Sequence, residues 1–360
     1  MFDWKNLFSG SKQLAGLDIG SSSLKLAEIQ GETGKYVLSR FSQLPLEEGI
    51  IAEGVPVEHE KLVAGIKTLF KESGCSRKNV VTSLSGHSVI IKKVNLPTME
   101  EAEMRDLIRD EAGKYLPFDN MEEVNFDFQI VGPSEFNPNQ LDVILVAAKK
   151  DIITTYTEII REAGLQALVM DVDAFALETL YEENYDPEEN EVDVLVNIGA
   201  SITNINVIKN GSSLFTRDFT IAGNAVTESV KDRLGLPSAA DAEKVKLEGF
   251  GDDAATKASS RESLHLYAEP ICMEVERSVE YFRSTSGEMN IKNVILSGGS
   301  ARIPGLAGDL AQRLSIETQI IDPFKKIDYN KKTFTPETIE QIAPVAAVSI
   351  GLALRRLGDK

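Results

Sequence analysis

Two short stretches of this sequence carry residue types suited to holding a polyphosphate. The first is Asp18-Ile19-Gly20-Ser21-Ser22-Ser23-Leu24-Lys25, and the second is Asn197-Ile198-Gly199-Ala200-Ser201-Ile202. Gly20 and Gly199 are expected to let each turn reach φ > 0 and to leave space where another group comes close. Ser21, Ser22 and Ser23, like Ala200 and Ser201, are small enough for their backbone N–H groups to converge on an anion. Asp18 or Asn197, closing the apolar run before the turn, offers an oxygen to a metal or a water. One Asx-x-Gly hairpin is an ordinary turn, but two with matched flanks, facing each other, would grip a polyphosphate from both sides. A third stretch, Gly298-Gly299-Ser300, follows an apolar run. Paired glycines there would let backbone lie against a flat purine or an α-phosphate, or would simply make a strand-to-helix turn.

The elements that must position these turns follow from periodicity. Leu14–Ile29 reads as a buried strand, a turn and a second strand, and Tyr36–Phe41 as a third strand. Glu60–Ser73 has helical spacing in Leu62, Ile66, Leu69 and Phe70 and ends at Gly74. Val80–Leu84 resembles a central strand. A block of β-α-β-β character follows, with strands at Val89–Val94, Val124–Val131 and Leu141–Ala148. Its helix runs from about Thr98, as the cap of a Thr98/Glu101 capping box, to Tyr115. Asp151–Ala163 is predicted helical, Leu168–Asp173 a strand and Ala174–Tyr181 a helix. The acidic run Glu182–Glu191 reads as a solvated linker. Beyond the second hairpin, helices are predicted to Leu234, over Ala239–Leu247 and over Glu262–Ser284, with a Gly/Asp-rich loop at Glu248–Ser259. Asn293–Ser297 is a buried strand, and Ile342–Leu357 a packed apolar helix.

Composition narrows the function. The chain has 360 residues, 56 acidic against 38 basic, and a formal net charge of −18. Wrapping nucleic acid would need a basic face that this balance does not supply; a basic partner suits it better. Cys75 and Cys272, the only cysteines, form no CxxC pair and predict neither a disulfide framework nor a zinc site. No signal-peptide core and no membrane-spanning window of about 18 apolar residues is apparent, so a cytoplasmic protein is expected. Met1–Gln13, with Phe2, Trp4, Leu7 and Phe8, reads as a frayed terminus or a short amphipathic turn. Neither a P-loop nor G-x-S-x-G occurs, and His59, His87 and His265 are scattered.

The two hairpins and Gly298–Leu306, in order, resemble the two phosphate motifs and the adenosine motif of the actin / sugar-kinase / heat-shock ATPase superfamily. Within it, the chain is similar to the PilM family of actin-like type IV pilus assembly proteins, related to the division protein FtsA. Ser85–Lys93, Tyr115–Asp119, Val172–Leu177 and Gly351–Arg356 carry this second likeness. The resemblance implies an α/β, two-lobed actin-like (ribonuclease H-like, duplicated) ATPase fold with an FtsA-type inserted subdomain. Residues 14–85, 165–185 and 340–357 would form the core of lobe 1, and 86–164 the insertion. Residues 190–226 and 290–325 would form the core of lobe 2, with 227–289 its outer part.

The resemblance also implies roles. Gly20, Ser21, Ser22 and Ser23, with Gly199, Ala200 and Ser201, would hold the β- and γ-phosphates of ATP, Lys25 adding charge. Asp18 would face the Mg²⁺ shell. Gly298, Gly299 and Ser300 would lie along the adenosine, Glu243 and Lys246 at ribose and base. Asp173 would orient the attacking water, while Asn197 stands where the superfamily usually has Asp. That last departure implies slow or incidental hydrolysis in a scaffold. The implied partner is the N-terminal cytoplasmic tail of the inner-membrane protein PilN, alongside other components of the pilus machine and possible homo-oligomers. Leu96, Tyr115, Leu116 and Phe118 are the candidate groove residues. The alternatives are a small-molecule kinase or an active ATPase of the same superfamily. A heat-shock chaperone would need a further substrate domain, and FtsA's own role a C-terminal amphipathic helix.

Overall fold

The computed structural model describes residues 14–118, 120–134, 137–251, 253–287 and 289–356, with residue 112 described by its backbone only. The expectation for Trp4–Phe8 lies outside them, as do residues 357–360.

The first lobe opens with β1 (Ala15–Ile19), β2 (Ser23–Gln30) and β3 (Val37–Pro45), an antiparallel meander. A two-stranded hairpin, β4 (Ile51–Ala52) and β5 (Val55–Pro56), precedes α1 (His59–Ser73). One face of α1 buries Leu62, Val63, Ile66, Leu69 and Phe70, each worth about 1.5–3 kcal/mol on full burial. Gly74 ends it in the left-handed region, φ 64°, where a side chain is disfavoured. β6 (Asn79–Leu84) then lies parallel to β1.

The inserted subdomain follows: β7 (Val89–Pro97), α2 (Glu101–Tyr115), β8 (Val124–Pro133) and β9 (Gln140–Lys149), with strand order β7-β9-β8. α3 (Lys150–Glu162), β10 (Gln166–Val172) and α4 (Asp173–Asn184) return to lobe 1. Lobe 2 comprises β11 (Val192–Ile198), β12 (Thr203–Lys209), β13 (Ser212–Phe219), α5 (Gly223–Leu234), α6 (Ala239–Glu248), α7 (Ala254–Arg261), α8 (Glu269–Ser286), β14 (Ile291–Ser297), α9 (Leu306–Leu314) and β15 (Glu317–Ile320). β16 (Asp328–Tyr329) crosses back to pair with β3, and α10 (Pro336–Leu354) follows.

The duplication is explicit in the sheets. Lobe 1 has the order β10-β6-β1-β2-β3, extended by β16, and lobe 2 the order β15-β14-β11-β12-β13. In each, the fifth, fourth, first, second and third strands of the lobe's own series lie side by side. β1 and β11 are thus equivalent central strands, with the two phosphate-type turns at equivalent ends.

Several expectations are corrected. α2 starts at Glu101 with Met104 N–H on the Glu100 carbonyl, so Thr98 is two residues too early to cap it and the capping box does not form. α3 packs Ile159 and Ile160 among α1 residues in the lobe 1 core, which places it outside the small sheet of the insertion. The expected 248–259 loop contains α7, whose cap is Asp253, accepting from Ala255 and Thr256 N–H. The long helix expected from Glu262 begins only at Glu269. α10 starts earlier than expected, with Pro336 in its first turn, and at 19 residues with mean hydropathy 1.3 it is long and apolar enough to cross a membrane. Its residues are mostly buried against β1, β2 and α4, which makes it a core helix.

Candidate functional site

The cleft between the lobes has a volume of about 790 Å³, and every residue expected to touch nucleotide or metal lines it. That size is within the range of about 300–1,000 Å³ usual for small-molecule sites. Asp18, Gly20–Ser23 and Lys25 come from the β1–β2 turn, Asn197 and Gly199–Ser201 from the β11–β12 turn. Gly298, Gly299 and Ser300 follow β14, Glu243 and Lys246 lie on α6, and Asp173 begins α4.

The two turns share one geometry. Gly20 N–H donates to Ser23 O at 3.2 Å, and Gly199 N–H to Ile202 O at 3.0 Å. Neither glycine has positive φ, contrary to expectation; what both positions require is space. A Cβ on Gly20 would sit 3.1 Å from Ser23 O, and one on Gly199 2.8 Å from Ile202 O. Gly298 combines both demands, with φ +88° and a Cβ position 2.4 Å from Ile198 O. Its N–H donates to Pro344 O of α10 at 2.8 Å, fixing this turn against lobe 1's last helix.

The turns differ in charge. On the first hairpin Asp18 faces Lys25 across the strands, Lys25 Nζ to Asp18 Oδ2 at 2.9 Å. At the equivalent place on the second hairpin Asn197 faces Asn204, Nδ2 to Oδ1 at 3.1 Å. Both pairs are seven residues apart in sequence. An ion pair on one side of the cleft therefore corresponds to a neutral amide pair on the other.

Lys246 is buried, and its ammonium group donates to Gly223 O (3.2 Å), Thr227 Oγ1 (3.0 Å) and Glu243 Oε2 (2.5 Å). These three contacts use the three protons of an ammonium, so Lys246 is a strut between α5 and α6 that props Glu243 at the cleft. Burial lowers its pKa, opposed by the attraction of Glu243. Asp173 accepts from Ser83 Oγ at 2.5 Å. Its carboxyl is pushed up to about 7, chiefly by burial and then by the negative charge of Asp18.

Sequence reasoning missed Asp218 on β13. Its carboxylate accepts the N–H of Gly86 in lobe 1 at 2.6 Å, and burial raises its pKa. No local signal marks it. Asn204, also missed, was findable by aligning the two hairpins, since it stands where Lys25 stands. Ser83, Thr227 and Arg302 line the cleft as well.

The candidate groove residues divide. Leu96 and Leu116 are buried in the core of the insertion, 1% and 3% exposed, because so small a subdomain needs its inward-facing leucines for its own stability. They hold the insertion together and present nothing to a peptide. Tyr115 and Phe118 are half-buried at the edge of that core.

A sequence model of the family described as type IV pilus assembly protein PilM matches residues 16–357. A solved PilM–PilN type IV pilus biogenesis complex contains a chain similar to this one at 30% identity and TM-score 0.81, over 95% of this chain and 98% of that one. The ethanolamine utilization protein EutJ of Carboxydothermus hydrogenoformans is similar at TM-score 0.58 and 14% identity, over 95% and 89% of the two chains, a likeness of fold alone. These likenesses bear out the two-lobed actin-like fold that the family resemblance implies.

Proposed function

Because the chain belongs to the family of type IV pilus assembly proteins PilM, we propose that it is a scaffold of that assembly which binds ATP with Mg²⁺ between its lobes and docks a membrane partner's cytoplasmic tail. The observation that carries the nucleotide reading is the pair of geometrically equivalent turns facing one cleft. Backbone N–H groups of Gly20–Ser23 and Gly199–Ser201 would hold the phosphates, Lys25 would share its charge between Asp18 and the γ-phosphate, and Glu243 would accept from the ribose. The open, flat backbone at Gly299, with nothing within 4 Å of its Cβ position, suits a base or an α-phosphate. Asp18 and Asp173 suit a Mg²⁺ ion that arrives with the phosphates and keeps most of its waters. When bound, the ion would neutralise phosphate charge. Asp173, whose carboxyl is pushed up by burial and by Asp18, would orient a water and take its proton. Asn197 brings no carboxylate from the second turn, so turnover is slow.

The partner reading rests on the complex named for PilM and PilN, and we extend it to the N-terminal tail of PilN at the cytoplasmic side of the inner membrane. Half-buried Ile91, Ile152, Ile153, Met170 and Phe175 cluster where the insertion meets lobe 1. β10, at the edge of the six-stranded sheet, runs beside them. An apolar notch next to an open strand edge suits an extended peptide, and net charge −18 favours encounter with a basic one. Calorimetric titration with MgATP tests the first part. Binding of a fluorescent peptide copying that tail to wild type, Ile152→Glu, Met170→Glu, Tyr115→Glu and Phe118→Glu tests the second. Loss at Ile152 and Met170 supports the notch; undiminished binding by all four folded variants refutes docking beside the insertion.

A further inference from the structure

Ile202 ends the second phosphate-type turn, its carbonyl accepting the Gly199 N–H. Its side chain leaves lobe 2 and seats against two glycines of lobe 1. A Cβ on Gly86 would lie 2.5 Å from Ile202 Cδ1, and one on Gly54 3.5 Å from the same atom. Both glycines have positive φ, +63° and +80°, so the socket is built of backbone that other residues adopt only with strain. Gly54 is the tip of the β4–β5 hairpin at the cleft mouth, and its carbonyl accepts from Ser88 Oγ (3.0 Å) and Tyr156 OH (2.9 Å). Gly86 opens the short helical turn Gly86–Ser88 that leads directly into β7, the first strand of the insertion. The N–H of Gly86 is held by Asp218, the cross-strand neighbour of Asn204, which in turn accepts from Asn197 in the cleft. Two separate links thus run from the second phosphate turn of lobe 2 to the root of the insertion on lobe 1, one through the apolar side chain of Ile202 and one through the β12–β13 strand pair and the Asp218–Gly86 hydrogen bond.

We propose that Ile202 and Asp218 form an interlobe latch through which occupancy of the nucleotide cleft sets the rigidity of β7 and hence of the inserted subdomain. This rests on the nucleotide reading above. A phosphate gripped by Gly199–Ser201 fixes the backbone that carries Ile202 and the strand pair that carries Asp218, and both press on Gly86. An empty turn leaves both free to part from their lobe 1 seats. The insertion, which has a small core of its own, then loses its anchor at one end. Both links cross between lobes, so a nucleotide that touches no residue of the insertion still has a differential contact with its two states.

The test is hydrogen exchange of the full chain with and without a non-hydrolysable ATP analogue and Mg²⁺, each variant saturated according to its own titration. In wild type, exchange over Val89–Val94 is expected to slow at least about fivefold on saturation, the lower end of ordinary coupling. Asp218→Ala and Ile202→Ala, shown folded by thermal melting, are expected to lose that slowing, and Ile202→Val to keep it. If Asp218→Ala does not fold, Asp218→Asn, which keeps one acceptor for Gly86 N–H, replaces it and is expected to lose the slowing in part. Saturated variants that slow as wild type does overturn the latch. Nucleotide binding to wild type without slowing over β7 also overturns it, leaving the nucleotide reading intact. Absence of any binding to wild type overturns the nucleotide reading and the latch with it.

Discussion

Asp173→Asn should make the protein more stable at neutral and alkaline pH while impairing the chemistry of the cleft. The carboxyl of Asp173 is raised from 3.8 to about 7 by burial and by Asp18. A raised carboxyl pKa means that the folded state holds the proton more tightly than the unfolded one. Stability from this group is therefore fully present below about pH 4 and is lost as pH rises through about 7. A shift of that size corresponds to about 4 kcal/mol at about 1.36 kcal/mol per unit. Asp173 lines the cleft and is not sealed from it, and water there screens the charge, so about 2 kcal/mol is expected. An amide keeps the shape and an oxygen for the Ser83 hydroxyl but never ionises. Urea unfolding of both proteins at pH 5 and pH 8 isolates the effect, since titrations common to the two cancel in the difference. The variant should gain about 2 kcal/mol over wild type at pH 8 and distinctly less at pH 5. An advantage that does not grow with pH, or a variant less stable at pH 8, refutes the assignment of a costly buried charge to this position.

Gly199→Val should weaken MgATP binding by about 100-fold or more, equivalent to about 2.8 kcal/mol, because its Cβ meets Ile202 O at 2.8 Å; Gly20→Val should do so less severely, its Cβ standing at 3.1 Å. Calorimetry returning wild-type affinity for both would remove the phosphate clamp. Asn197→Asp should cost about 1–3 kcal/mol by placing a carboxylate in a partly buried amide pair, and adding Asn204→Lys should restore part of that loss by recreating the Asp18–Lys25 arrangement; strictly additive effects in the double-mutant cycle argue against the equivalence of the two hairpins. Steady-state phosphate release by wild type should fall below the usual enzyme range of about 1–10³ s⁻¹, and a rate inside it would turn the scaffold into an active ATPase.

The cleft was legible in the sequence because its parts are local. A strand, a turn of small residues and a returning strand are specified within about a dozen positions, and the repeat at Asn197 exposes the duplication without any knowledge of packing. Even so, of the two reasons read for the glycines only space holds, and the returning carbonyls of Ser23 and Ile202 show what takes it up, while neither residue has positive φ. Asp218 was illegible because its place depends on the β12–β13 register, which carries a bulge between Val207 and Ile208, and on the closure of one lobe against the other. The groove residues failed for a related cause: whether Leu96 faces a core or a partner is settled by how far α2 covers the small sheet, a tertiary fact. At Thr98 a good local signal lost to the backbone, whose N–H is taken by Asn139 O across the subdomain.

α10 bears on how the molecule comes into being. A Cβ on Gly16 of β1 would fall 2.1 Å from Ser349 O, and one on Gly351 1.9 Å from Ala176 O. The helix is therefore seated backbone-to-backbone on β1 and on α4. During synthesis, β1 and its phosphate turn emerge long before the helix that covers them. Until α10 arrives, the face of lobe 1's sheet that it covers stays wet, and Gly298 lacks the Pro344 carbonyl that holds it. Contacts of such sequence separation form late and slowly. A ribosome paused before residue 336 would display a lobe whose nucleotide turn is already spelled out but whose apolar face has no cover. Such a face is a natural seat for a chaperone, and the Gly298 turn is fixed only once α10 has docked.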